Sequence, residues 1–145
     1  MSKKVLIVED EIFVALEIEQ IVEDAGFAVG AIAADREAAM GAANDCDIAL
    51  VDLNLRDGPT GPAIGMELAS QYGILVIYVT ANPAQIGAAS EAALGVITKP
   101  FRAHSIAATL QLLASDSAAL EAADISGFTP FRSSSGALSA MGSRG

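Results

Sequence analysis

Short apolar runs that end in a polar side chain, each followed by a helical pattern, constrain this sequence more than any other feature. Val5-Leu6-Ile7-Val8 ends in Glu9-Asp10, and Val14, Ile18, Ile21, Val22 and Ala25 follow at helical spacing until Gly26 supplies a stop. Residues 27–33 read as a second strand, and Asp35 is placed to cap a helix running to about residue 43. Ile48-Ala49-Leu50-Val51 is a third strand ending at Asp52. Turn formers fill 54–61, and Pro62 opens a helix to about residue 72. Residues 74–79 form a fourth strand ending at Thr80, and Asn82-Pro83 starts a helix to about residue 92. Residues 94–98 form a fifth strand ending at Lys99-Pro100, and a last helix spans about 102–113.

Strands that are apolar on both faces and joined through helices predict a parallel sheet covered on both sides. Right-handed crossovers restrict it to a doubly wound α/β fold, and for five strands the common order is 2-1-3-4-5, as in flavodoxin-like domains. Residues 1–115 read as this one domain. Residues 116–145 are rich in Ser, Gly and Ala, with one aromatic island, Phe128-Thr129-Pro130-Phe131. Two readings of that tail stand open: a flexible extension, or a segment that folds back and seats its phenylalanines on the domain.

No apolar run approaches the roughly 20 residues of a membrane helix. Ser2-Lys3-Lys4 is followed by four apolar residues and then Glu9, which does not make a leader, so a cytoplasmic protein without membrane insertion is expected. The net charge of −10 opposes contact with nucleic acid, and no basic stripe offsets it. Cys46 is the single cysteine and reads as a small buried hydrophobe.

In an open parallel sheet, ligands bind beyond the carboxyl ends of the strands where strand order reverses. Glu9, Asp10 and Asp52 flank that point, and Thr80 and Lys99 end the next two strands. Two carboxylates about 5 Å apart repel by about 3 kcal/mol at an effective dielectric near 20. A hard divalent cation relieves that repulsion, and Mg²⁺ suits a few carboxylates with retained waters. With Lys99 adding positive charge, the groups fit phosphoryl transfer: an aspartate attacks phosphorus and a threonine hydroxyl donates to a phosphoryl oxygen.

With Glu9-Asp10, Asp52, Thr80 and Lys99-Pro100-Phe101 in this order, residues 3–115 resemble a response-regulator receiver domain of two-component signalling. The resemblance implies that Asp52 accepts a phosphoryl group from a sensor histidine kinase or phosphotransfer protein. It implies Mg²⁺ held by Asp10, Asp52 and the backbone carbonyl of Asn54, with Glu9 acting through water. Lys99 is implied to pair with Asp52, Thr80 to act as a switch, and Lys99-Pro100 to be a cis peptide. Val96 stands where receivers usually carry an aromatic switch partner. Residues 76–81 and 97–101 resemble receivers of the general-stress-response type, which share that trait. Asn54 and Asn82 occupy positions that influence phosphoryl lifetime in the family, and small Ala81 beside Thr80 leaves water unblocked. His104 reads as a surface helix residue.

The expected function is a stand-alone receiver serving as phosphorelay intermediate, phosphate sink or protein-binding switch, catalysing only its own phosphorylation and dephosphorylation. A homodimer is compatible with the resemblance. The alternative on the same fold is a phosphorylation-independent binding module. A phosphatase of the haloacid-dehalogenase type needs a second acid two residues after its nucleophile, where this sequence has Asn54.

Overall fold

The computed structural model describes residues 3–131. Its strands are β1 (Lys4–Val8), β2 (Ala28–Ala33), β3 (Ile48–Val51), β4 (Leu75–Thr80), β5 (Gly95–Thr98) and β6 (Phe128–Pro130). Its α-helices are α1 (Ile12–Asp24), α2 (Arg36–Ala42), α3 (Gly61–Tyr72) and α4 (Ala103–Ser115). The sheet order is β2-β1-β3-β4-β5-β6; the first five strands run parallel and β6 pairs antiparallel with β5.

Alternation along the strands builds two cores. Leu6, Val8, Ala49, Val51, Val76, Tyr78 and Val96 face α2 and α3. Val5, Ile7, Ile48, Leu50, Ile77, Val79 and Ile97 face α1 and α4. Strands buried on both faces have to be apolar at every position, which is why the runs read as continuous. Local signals act where expected. The Asp35 carboxylate accepts a hydrogen bond from the Ala38 amide (2.9 Å) and caps α2. Gly73 ends α3 at φ 66°, in the left-handed region that glycine enters without a Cβ clash.

Two parts differ from the sequence reading. The segment after Thr80 is not an α-helix; it forms two 3₁₀ turns, Pro83–Gln85 and Gly87–Ala92. Gly87 sits at φ 56°, which interrupts any continuous α-helix there, while buried Ile86 and Ala89 hold both turns against the core. The sheet also has six strands among the described residues rather than five. The sixth comes from the segment read as a tail: residues 116–131 fold back, and Phe128 is only 6% exposed. The rest of that tail, residues 132–145, lies outside the described residues. Cys46 is buried with a free thiol, and His104 is exposed on α4.

Candidate functional site

Parallel register brings the predicted polar groups to one rim. Val8 pairs with Val51, so β1 and β3 end side by side, and the Asp52 amide donates to the Val8 carbonyl (2.9 Å). Thr80 pairs with Thr98, and the Lys99 amide donates to the Thr80 carbonyl (2.9 Å). The resulting cleft of about 410 Å³ is lined by Asp10, Asp52, Asn54, Thr80, Asn82 and Lys99, among others. The Lys99–Pro100 peptide is cis. Val96 is buried beneath this end of the sheet, at 2% exposure.

Glu9, Asp10 and Asp52 each offer a carboxylate oxygen, and these oxygens lie within 4.8 Å of one another. At an effective dielectric near 20, each pair at that distance repels by about 3.5 kcal/mol. Lys99 partly offsets this. Its Nζ donates to Glu9 Oε1 at 2.8 Å and to Asp52 Oδ2 at 3.3 Å. The expected pair with Asp52 is present, and the nearer partner is Glu9, the more deeply buried of the two acids. Burial pushes the Glu9 carboxyl above its ordinary value, although the Lys99 and Glu11 hydrogen bonds pull the other way. Burial alone would lower Lys99, but the Glu9 hydrogen bond and the charges of Glu9 and Asp52 outweigh it and raise the lysine.

The oxygen donors fit a hard divalent cation. Around an octahedral Mg²⁺, ligand oxygens sit about 3–4 Å apart, close to the spacing of this cluster. The two Glu9 oxygens already accept from Lys99 Nζ and from the Glu11 amide (3.2 Å). Asp10 and Asp52 also line the open cleft, whereas Glu9 is 2% exposed and does not, so Asp10 and Asp52 are the better placed direct ligands and Glu9 suits contact through water. Asp52 is itself oriented: Oδ1 accepts from the Leu53 amide at 2.7 Å and Oδ2 from Lys99. The Thr80 hydroxyl accepts from the Asn82 amide (3.0 Å), which leaves its own proton for another acceptor.

A doubly wound sheet with acids on both sides of its switch point, and a threonine and a lysine on the adjoining strand ends, defines the receiver class of α/β domain. Residues 5–111 match the response regulator receiver domain, and the chain belongs to that family. It is 31% identical over 115 residues to the phyllosphere-induced regulator PhyR of Methylorubrum extorquens, a match covering 76% of this chain and 43% of that relative. The solution structure of the PhyR response regulator REC domain from Erythrobacter litoralis superposes with a TM-score of 0.71 at 27% identity, covering 79% of this chain and 92% of that one. A structure of the PhyR stress response regulator gives 0.64 at 31% identity, over 78% of this chain and 45% of that one. The likeness to stress-response receivers therefore holds at the level of whole domains.

Two contributors escape a reading by motif. Gln85 and Asn54 form a reciprocal amide pair across the cleft mouth: Gln85 Nε2 donates to Asn54 Oδ1 (2.8 Å) and Asn54 Nδ2 to Gln85 Oε1 (3.2 Å). Gly61 lets the start of α3 approach the backbone of Asp52 and Leu53 so closely that a Cβ would overlap it. The Gly-Pro pair at 61–62 was a visible sign of the helix start, whereas nothing in the sequence marks Gln85.

Proposed function

We propose that this chain is a response regulator that accepts a phosphoryl group on Asp52 from a phosphohistidine of a sensor kinase or phosphotransfer protein, in a Mg²⁺-dependent reaction. The observation carrying this reading is the carboxylate of Asp52, held by the Leu53 amide and Lys99 and facing a cleft shared with Asp10 and Thr80. An Asp52 oxygen attacks phosphorus, the O–P bond forms, and the bond from phosphorus to the donor nitrogen breaks, leaving the electron pair on that nitrogen. Bound magnesium supplies charge neutralisation for the phosphoryl oxygens. Lys99 offers its positive charge to the arriving group, and the Thr80 hydroxyl donates to a phosphoryl oxygen. Catalysis is confined to gain and loss of this group, because Asn54 stands where hydrolysis of an ester would need a general acid.

The docking face is the first two turns of α1, where Ile12, Phe13 and Leu16 are 56%, 84% and 45% exposed. Asp10 and Glu11 line the cleft and Phe13 follows two residues later, so a partner seated on this face would lie beside the cleft. Exposed apolar side chains grouped in this way mark contact surfaces. Phosphoryl lifetime separates the roles: minutes or less supports relay or sink, and hours supports a persistent switch. Incubation with acetyl phosphate and Mg²⁺ should label the wild type and leave Asp52→Ala unlabelled. Equal labelling of that variant refutes the assignment and favours a phosphorylation-independent module.

A further inference from the structure

The segment from Ser126 to Phe131 is built into the sheet with unusual specificity. The Phe128 ring fills space that exists only because residue 95 is glycine; a Cβ on Gly95 would overlap it. Gly127, at φ 84°, lies against Ser105, whose hydroxyl donates to the Ser126 carbonyl at 2.6 Å. The Phe131 amide donates to the Leu94 carbonyl (2.9 Å). These contacts come from two separate parts of the chain, residues 94–95 and Ser105, and fix one register between β6 and β5.

That register bears on the site. The Thr98 amide donates outward to the Gly127 carbonyl (3.1 Å), and the next amide, Lys99, donates inward to the Thr80 carbonyl (2.9 Å). The last two backbone groups before the lysine side chain are thus held from opposite sides, by β6 and by β4. Without β6, β5 would be an edge strand with its outward amides facing water. Lys99 Nζ has to reach Glu9 and Asp52 together, at 2.8 and 3.3 Å, so a displaced backbone at 98–99 disturbs both contacts.

We infer that the β6 strap is a positioning element for Lys99, with Phe128 as its positioning residue. The inference deepens the phosphoacceptor reading and rests on it for its kinetic effect. Misplacement of a reacting group by about 1 Å can cost up to about 100-fold in rate. Loss of one strand-end tether should cost less, about 5–10-fold in the rate of phosphorylation at saturating donor and Mg²⁺.

The test uses the full chain with Phe128→Ala, Phe128→Leu, Gly95→Ala and the Gly95→Ala/Phe128→Ala pair. Acetyl phosphate is the donor, and its apparent binding constant is separated from the limiting rate. Phe128→Ala and Gly95→Ala should lower the limiting rate about 5–10-fold, with donor and Mg²⁺ binding within twofold of wild type. The double variant should lose no more than either single one, and Phe128→Leu should recover most of the rate. An independent readout is the Lys99 side-chain ¹³Cε–¹Hε signal in lysine-labelled protein, which carries label only at Lys3, Lys4 and Lys99. This signal should move in Phe128→Ala while those of Lys3 and Lys4 stay. An unmoved Lys99 signal in a folded Phe128→Ala overturns the inference, as does a rate within twofold of wild type. Loss of donor and Mg²⁺ binding in proportion to rate also overturns it, because general loosening would then suffice. A wild type that takes no label, with the Lys99 signal still shifting in the variant, defeats the phosphoacceptor reading and leaves the positioning role standing.

Discussion

Lys99→Met isolates the charge that holds the rim together. Lys99 Nζ lies 2.8 Å from Glu9 and 3.3 Å from Asp52. At an effective dielectric near 20 these contacts correspond to about 6 and about 5 kcal/mol of Coulomb attraction. Most of that is offset by the desolvation that the buried charges suffer, a burden that methionine removes for the lysine but not for the acids. The Glu9 side chain is 1% exposed, so it stays buried and loses its cation. Breaking one side of a buried pair typically costs about 3–5 kcal/mol. The partial exposure of the lysine side chain, 17%, favours the lower figure, about 3 kcal/mol, or a fall of about 10 °C in Tm.

The pH dependence gives the sign. Glu9 is already raised above its ordinary value of 4.5 by burial, and removing Lys99 raises it further. A carboxyl with a raised folded value contributes stability that is complete below its unfolded value and falls as pH rises through the folded one. The variant's deficit should therefore be near 3 kcal/mol at pH 7 and shrink as pH falls toward and below 4.5, where Glu9 takes up a proton in both states. Urea unfolding followed by circular dichroism in EDTA measures this directly, and added Mg²⁺ should restore more stability to the variant than to wild type. A deficit below about 0.5 kcal/mol at pH 7, or one unchanged at pH 4, would refute the electrostatic account.

Phe13→Ala should slow phosphotransfer from a phosphorylated kinase about 10-fold, as expected for loss of a buried aromatic anchor, while leaving acetyl phosphate labelling within twofold; equal slowing with both donors would remove α1 as the docking face. Tyr78 is fully buried, and burial pushes its phenol up from 10 to about 12, so stability should be complete below pH 10 and decline as pH rises from about 10 to about 12. Absorbance at 295 nm should show one of the two tyrosines ionising only with unfolding; Tyr78→Phe should remove that alkaline loss, and a persisting loss would assign it elsewhere.

The fold was legible because its strands are buried on both faces and its crossovers are helical, so apolar runs and periodic stretches fall in strict alternation. The site was legible because each chemical group ends a strand, and parallel register alone collects strand ends on one rim. The Glu9–Lys99 contact was not legible: that Lys99 reaches Glu9 as well as Asp52 depends on side-chain distances between three strand ends, which no local pattern encodes. The segment 83–92 misled for a different reason. Alanines and a Pro near the start suggest a helix, yet Gly87 enters the left-handed region and buried Ile86 and Ala89 dock the chain as separate turns. The β6 strap was half visible, as an aromatic island in a polar stretch. Its pairing partner was not, since the absence of a side chain at Gly95 has meaning only once Phe128 is found filling the space.

Pro130 closes β6, and proline has no amide to offer a further strand. The added strand therefore does more than extend the sheet: it substitutes a short, proline-blunted margin for the apolar margin of β5. A chain cut at residue 115 would keep every group of the acidic cleft and yet uncover Gly95–Thr98 as an open template for intermolecular pairing. Solubility and the useful boundary of this domain are then set by β6, beyond the point where composition first changes.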